Sequence, residues 1–301
     1  MKDINSVNTR LVPVSFEYHC PESLEEALKL LGGQGGRVVV LAGGTDLLVK
    51  AKQRGVEPWA VVSIRKIPSL AHIEERSDGL HIGAAVRMIQ LERSEAVRRF
   101  FPLLAEAVSA VGSVQIRDMA TIGGNLCNAS PAADGSVALL ALDSTVFVAS
   151  LAGTRSVILS KFFRGPGKTA IAPGELLAGV SVPYLPPHTG TAFARISRTD
   201  MDLAKVNVAS SLTLDGGKVS RARVALGAVA PTVIRAAAAE SVLVGGVPSD
   251  ELLRKAGEEA SKEARPITDV RSTAEYRRRL VSVLVRRTLV QALDRARGAI
   301  Q

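Results

Sequence analysis

The sequence predicts an α+β chain of two domains, and three observations carry that expectation. Short β-branched runs such as Val38–Leu41 alternate with helical patterns in the first part of the chain. A turn-rich stretch, Pro183–Gly190, then interrupts the pattern. Beyond it, an alternating hairpin gives way to three amphipathic helices. At 301 residues and 47% hydrophobic content the chain is large enough for more than one core. The expected division is a domain over 1–185, made of subdomains 1–66 and 67–185, and a second domain over 186–301.

The elements follow in order. Residues 10–20 read as a short extended segment with Pro13 near its start. Ser23 and Glu26 have the spacing of a capping box, in which hydroxyl and carboxylate satisfy each other's backbone donors. Leu24, Ala27, Leu28 and Leu31 then share one helical face, which Gly32 and Gly33 end. Val38–Leu41 and Trp59–Ile64 read as strands, the first of them buried. Residues 70–75 and 79–85 read as a strand pair turning at Ser77–Gly79. Residues 87–112 read as helical, broken at Pro102. Thr121–Pro131 has no period and reads as a long loop. A short helix is expected over 137–142, with strands at 145–150, 156–159 and 180–183. In the second domain, Val206–Leu214 and Val219–Ala228 form a hairpin around Asp215–Gly217. Helices are expected over 232–244, 249–264 and 273–297.

Composition narrows the function. The formal charge of +9 is a basic surface, but aromatic content of 4% is low for stacking single-stranded bases, so nucleic-acid binding is not expected. Many basic residues fall on the last helix (Arg277, Arg278, Arg279, Arg286, Arg287, Arg295, Arg297), where a basic face suits an acidic partner subunit. The two cysteines, Cys20 and Cys127, are far apart and supply neither a cluster-ligand set nor a disulfide framework. Cys127 is read as a small buried filler, and the four histidines as structural or exposed. The first residues lack the apolar run of a signal peptide, and no stretch approaches the ~20 apolar residues of a membrane span. A cytoplasmic protein is expected.

Two glycine segments carry the chemistry. In Leu41-Ala42-Gly43-Gly44-Thr45-Asp46-Leu47, a strand runs directly into two glycines. Glycine lets the backbone approach a ligand and aim successive N–H groups at one point, a nest suited to phosphate oxygens. Thr45 adds a hydroxyl. Asp46 is expected to cap the following turn, because its charge repels phosphate. In the second segment, Thr121-Ile122-Gly123-Gly124-Asn125, a hydroxyl and two glycines recur, followed by an amide that both donates and accepts. Either segment alone is also what a tight turn looks like. Two such segments suit a ligand with two phosphates.

These segments, extended as Val40–Leu48 and Ala120–Asp134, resemble the medium, flavin-binding subunits of the xanthine dehydrogenase/carbon monoxide dehydrogenase family of molybdenum hydroxylases. The resemblance continues through Glu175–Pro183, Phe193–Val206 and Ile267–Arg278, and so spans nearly the whole chain in order. It implies a two-subdomain FAD-binding domain of the PCMH type and a small C-terminal domain with an antiparallel sheet and three helices. It also implies non-covalent FAD between the subdomains. Leu41 to Leu47 would wrap the pyrophosphate from one side; Ala120, Thr121, Gly123, Gly124 and Asn125 would grip it from the other. Asp134 matches an acidic position near the adenosine end, where a carboxylate accepts from ribose hydroxyls. Val111 and Leu177 match apolar positions bordering the cofactor, and Arg195, or Ala194 beside it, a basic position by the flavin.

The resemblance further implies a division of labour. A large subunit with a molybdenum cofactor acts on substrate, a small subunit with two 2Fe–2S clusters relays electrons, and this chain's FAD passes them to NAD, quinone or oxygen, in a dimer of heterotrimers. No side-chain acid, base or nucleophile is required, and none is assigned. The alternative is a stand-alone FAD-dependent oxidoreductase, which requires a substrate pocket with convergent polar groups in the C-terminal domain.

Overall fold

The computed structural model describes residues 14–33, 38–53 and 55–298. The first unit is a parallel three-stranded sheet, built from β1 (Glu17–His19), α1 (Leu24–Gly32), β2 (Val38–Leu41), α2 (Leu47–Lys52) and β3 (Ala60–Ser63), in the order β1-β3-β2. The expected extended segment appears as β1; its start over 10–13 lies outside the described residues. The capping box is only half formed. Glu26 N–H donates to Ser23 Oγ at 3.2 Å, but the Glu26 carboxylate accepts from Glu22 rather than from Ser23. Ala27, Leu28 and Leu31 bury the predicted face of α1 against Val62, Ile64 and Leu176.

The second unit starts with β4 (Ile73–Arg76) and β5 (Gly79–Gly83). The single broken helix expected over 87–112 is three: α3 (Met88–Arg93), α4 (Glu95–Phe100) and α5 (Pro102–Ser109). Ser94 makes the extra break, ending α3 and capping α4 through Val97 N–H, and Pro102 opens α5 instead of merely breaking a helix. Next come α6 (Val114–Met119), which the sequence reading lacks, and α7 (Ile122–Asn128), where a loop was expected. Glycines depress helix propensity, but burial of Ile122 and Leu126 and the Thr121 cap override it here. Then follow α8 (Asp134–Ala141), β6 (Thr145–Ser150), β7 (Gly153–Ile158), a small hairpin of β8 (Phe163–Gly165) and β9 (Lys168–Thr169), and β10 (Leu176–Pro183). The sheet order is β4-β5-β10-β6-β7, and each pairing is antiparallel.

The third unit is a four-stranded antiparallel sheet, β11 (Thr189–Ile196), β12 (Val206–Asp215), β13 (Lys218–Gly227) and β14 (Ile234–Arg235), in sequence order. Strand β11 begins inside the turn-rich stretch Pro183–Gly190. Three helices cover the sheet: α9 (Ala237–Leu243), α10 (Asp250–Glu263) and α11 (Ala274–Ala296). Helix α9 is shorter than the 232–244 expected, because β14 occupies its start. The apolar stripe of α11 is buried as the period predicts, through Val281, Leu284, Val285, Leu289, Ala292 and Leu293. The basic residues of α11 do not all share one face. Arg277 is buried and bonded to Asp269 and Ala228 O, and Arg295 reaches Glu106 and Thr191 O, whereas Arg278, Arg279, Arg286, Arg287 and Arg297 are exposed. The mixed α+β class, with a C-terminal antiparallel sheet and helices, is the one the sequence predicts.

Candidate functional site

Between the first two units lies a cleft of about 740 Å³, within the usual range for ligand sites. Its first wall is the turn from β2 to α2. Gly44 is left-handed, at φ +78°, and a Cβ on Gly43 would stand 2.1 Å from Met119 O. The two glycines therefore let this turn bend sharply and press against the backbone of Met119–Ala120. Among the described residues, no protein acceptor meets the N–H groups of Gly43, Gly44, Thr45, Asp46 or Leu47. Five successive donors are thus available at one edge of the cleft, the arrangement a phosphate nest requires.

Asp46 does not behave as expected. It holds the N-cap position of α2, but its side chain makes no capping bond. Its Oδ1 instead accepts from Asn128 Nδ2 at 2.9 Å, and Asn128 Oδ1 accepts from Lys50 Nζ at 2.7 Å. Asp46 has helical backbone angles (φ −102°, ψ −46°) rather than the extended ones of a capping residue, and its carboxylate reaches across to α7 instead.

The second wall is the N-terminal turn of α7, and its donors are largely committed. Ile122 N–H donates to Val86 O, Gly123 N–H to Ala84 O, Gly124 N–H to Thr121 Oγ1, and Asn125 N–H to Thr121 O. The second glycine segment therefore differs from the first, whose N–H groups meet no protein acceptor among the described residues. Its glycines serve close packing: a Cβ on Gly123 would lie 2.6 Å from Ala84 Cβ, and one on Gly124 3.1 Å from Thr121 Oγ1. What this segment offers a ligand is a smooth backbone surface and the Thr121 hydroxyl and Asn125 amide.

Ala42, Gly43, Gly44, Thr45, Asp46, Leu47, Val111, Ala120, Thr121, Gly123, Gly124, Asn125 and Leu177 all line this one cleft. Three expected residues do not. Leu41 ends β2 and packs its side chain beneath Gly44. Asp134 and Arg195 lie at the seam with the third unit and pair with each other at 3.1 Å, because both are nearly buried and neither charge is tolerated there alone. Asp134 also accepts from Asn207 Nδ2 at 2.6 Å, yet burial outweighs both partners and pushes its carboxyl up to about 6.

The cleft also holds residues that sequence reasoning missed: Lys50, Ile64, Ala84, Ile116, Asn128, Arg164, Lys168 and Glu175 among them. A signal existed for Arg164 and Lys168, since Gly165-Pro166-Gly167 between them is a strong turn marker. Cys127 lines the cleft as well, half-buried, with burial pushing its thiol up to about 12. It is therefore protonated at neutral pH and acts as apolar filling rather than as a thiolate.

A second cavity of about 330 Å³ opens at the seam with the C-terminal unit, lined by Leu203, Ala228, Arg265, Asp269, Arg271 and Arg277 among others. Asp269 takes Arg277 at 2.6 Å and Arg271 at 3.5 Å, and Arg265 donates to Lys262 O and Ala264 O.

Over residues 14–185 the sequence matches the family model described as the FAD binding domain in molybdopterin dehydrogenase, and over 191–292 the CO dehydrogenase flavoprotein C-terminal domain. The alpha subunit of the 6-hydroxypseudooxynicotine dehydrogenase complex of Paenarthrobacter nicotinovorans is 37% identical over 286 residues, covering 95% of this chain and 97% of that subunit. The xanthine dehydrogenase FAD-binding subunit of Escherichia coli O157:H7 is 31% identical over 287 residues, covering 94% and 98%. Among solved structures, carbon monoxide dehydrogenase from Hydrogenophaga pseudoflava, in a form lacking the Mo-pyranopterin moiety of its molybdenum cofactor, superimposes with a TM-score of 0.92 at 34% identity, over 95% of this chain and 99% of that one.

Proposed function

Because the chain belongs to the FAD-binding medium subunits of the molybdopterin hydroxylase family, of carbon monoxide dehydrogenase and xanthine dehydrogenase type, we propose that the cleft between its first two units holds FAD by the pyrophosphate. The observation that carries this placement is the run of N–H groups from Gly43 to Leu47 that meets no acceptor among the described residues, on a turn that lines the same cleft as Gly123 and Gly124 of α7. Backbone donors fixed by a tight turn bind phosphate oxygens without any reorganisation. The residues fit the group in a second respect. Asp46, the one acid beside the nest, is held by Asn128, which disperses the charge that would oppose a phosphate. Ile64, Ala84, Val111, Ile116 and Leu177 supply apolar surface for the flat ring systems on either side.

FAD bound here supplies the redox chemistry, and the protein supplies binding and orientation. The proposed role is transfer of electrons from a small subunit with two 2Fe–2S clusters to an acceptor such as NAD, quinone or oxygen. A large subunit with the molybdenum cofactor would choose and oxidise the substrate, in a dimer of heterotrimers. The proposed boundaries are 1–185 for the flavin domain and 186–301 for the C-terminal domain. Among the described residues, no helix is long and apolar enough to cross a membrane.

The test is direct. The purified full chain should show flavin absorbance, and the released cofactor should be FAD at one per chain. Colourless protein that takes up no added FAD would overturn the proposal. Co-expression with the genes beside it should yield a complex carrying molybdenum and iron. A monomer that turns over a substrate alone would favour the stand-alone flavoenzyme instead.

A further inference from the structure

The proposed FAD cleft is lined by five charged side chains, and three of them are already committed within the protein. Asp46 and Lys50 are both bonded to Asn128. Glu175 accepts from Arg155 at 2.7 and 2.8 Å and from Ala172 N–H at 2.7 Å. The remaining two, Arg164 and Lys168, are exposed, and neither has a hydrogen-bond or ion-pair partner among the described residues. Both are cations, and both stand on the β8–β9 hairpin.

That hairpin is held firmly. Phe162, just before it, is fully buried, and Ala170 N–H, just after it, donates to Phe162 O at 2.8 Å. Arg155 also donates to Ala170 O at 2.8 Å. At the turn, Gly167 N–H donates to Ala129 O at 3.3 Å, which sets the hairpin against the C-terminal end of α7. Ala129 follows Asn128, which holds Asp46 at the end of the nest, so the hairpin turn stands beside the nest and both line the same cleft.

The charge balance shows what they are for. Asp46 is offset by Lys50, and Glu175 by Arg155, so the committed charges around the cleft sum to nothing. The nest provides hydrogen-bond donors but no formal charge. A pyrophosphate brings two negative charges, and the only uncommitted charges lining the cleft among the described residues are these two cations.

We propose that Arg164 and Lys168 form an electrostatic clamp for the anionic centre of the bound dinucleotide, acting alongside the Gly43–Leu47 nest. The inference rests on the FAD reading of the same cleft. It separates two contributions: the nest fixes the position of the pyrophosphate, and the hairpin supplies the charge that makes its binding depend on salt.

The test is the affinity of the full chain for FAD, with riboflavin as a phosphate-free control, in about 50 to 400 mM NaCl. At the low-salt end, Arg164→Gln and Lys168→Gln should each weaken FAD about threefold, and the double variant about tenfold, in keeping with exposed charge pairs. The double variant should also lose most of the salt dependence of the wild type. Lys168→Arg should retain both affinity and salt dependence, and riboflavin affinity should be unchanged throughout. If the wild type binds FAD and the double variant matches it in affinity and salt dependence, the clamp is wrong and the cleft assignment stands. If riboflavin weakens in parallel with FAD, the hairpin acts through shape rather than charge, and the clamp is again wrong. If the wild-type chain binds no FAD, the cleft reading fails and takes the clamp with it.

Discussion

Arg195 on β11 donates to the carboxylate of Asp134, in the first turn of α8, at 3.1 Å, and so ties the C-terminal sheet to the flavin domain. Asn207 on β12 completes the contact through the other carboxylate oxygen and Ala132 O. The pair is a joint between units, buried where a lone charge would be strongly disfavoured. Its energetics are finely balanced: burial raises the Asp134 carboxyl from 3.8 to about 6 despite both partners.

A pH dependence follows from that shift. The folded chain holds the Asp134 proton more tightly than the unfolded chain does. Stability from this group is therefore fully present below about pH 4 and is lost as pH rises towards about 6. The rise from 3.8 to about 6 corresponds to about 3 kcal/mol at most. Asp134→Asn cannot ionise and escapes this loss. The stability of wild type relative to the variant, read from urea midpoints, should thus fall between about pH 4 and pH 7. A difference that stays constant across that range would show that Asp134 does not titrate in this way.

The glycines of the two walls should respond differently to substitution. A Cβ on Gly124 meets only Thr121 Oγ1 at 3.1 Å and Ala42 Cβ at 3.9 Å, so Gly124→Ala should fold and keep weakened FAD binding. Gly124→Val adds methyls that crowd the cleft, and should fold but bind no FAD. Gly43→Ala places its methyl 2.1 Å from Met119 O, against backbone that cannot move aside cheaply. It should force the walls apart and lower both thermal stability and flavin content. Circular dichroism with flavin absorbance separates these outcomes; a yellow Gly124→Val protein would falsify the placement of the pyrophosphate.

The contrast between these walls also shows what was legible in the sequence. The hairpin of β12 and β13, the face of α1 and the stripe of α11 were readable because their signals are local: alternation, capping residues and helical period. Helix α7 was not, because its glycines argue against a helix, and it takes the fit of Gly123 to Ala84, the burial of Ile122 and Leu126 and the Thr121 cap together to make one. In the site, Ala42–Leu47 and Thr121–Asn125 stood out as unusual backbone. Asn128 did not, since a single polar residue has no period and its partners are set by the tertiary fold; the Gly165-Pro166-Gly167 turn marks a hairpin at Arg164 and Lys168 but not the cleft it faces. Asp134 and Arg195 show the reverse failure: resemblance gave their positions along the chain but not that their side chains turn toward each other.

Thr121 should matter mainly through the helix it starts. Its Oγ1 accepts from Gly124 N–H at 3.0 Å and replaces one of the donors' missing intrahelical partners. Thr121→Ala should cost about 1 kcal/mol, which lowers Tm by a few degrees in a chain of this size. Thr121→Ser retains the oxygen and should restore most of the loss. An unchanged Tm in Thr121→Ala would mean that α7 is held by packing alone.

Asn128 offers the sharpest separation of binding from stability. Its amide donates to Asp46 and accepts from Lys50, joining α2 to α7 at the edge of the nest. All three groups are at the surface, so Asn128→Ala should change folding stability by less than about 1 kcal/mol. It would, however, leave the Asp46 carboxylate beside the phosphate site with its charge no longer held, and FAD affinity should fall about five- to tenfold, the scale of one charge-assisted hydrogen bond. Asn128→Asp should be worse, since a second carboxylate would repel Asp46 and the pyrophosphate together. In Asp46→Asn the offending charge is absent, so adding Asn128→Ala to it should cost far less affinity than Asn128→Ala alone. Titrating FAD into the four proteins gives the coupling directly. If the two substitutions weaken FAD independently, Asn128 is an ordinary surface contact and not the group that makes Asp46 compatible with a phosphate.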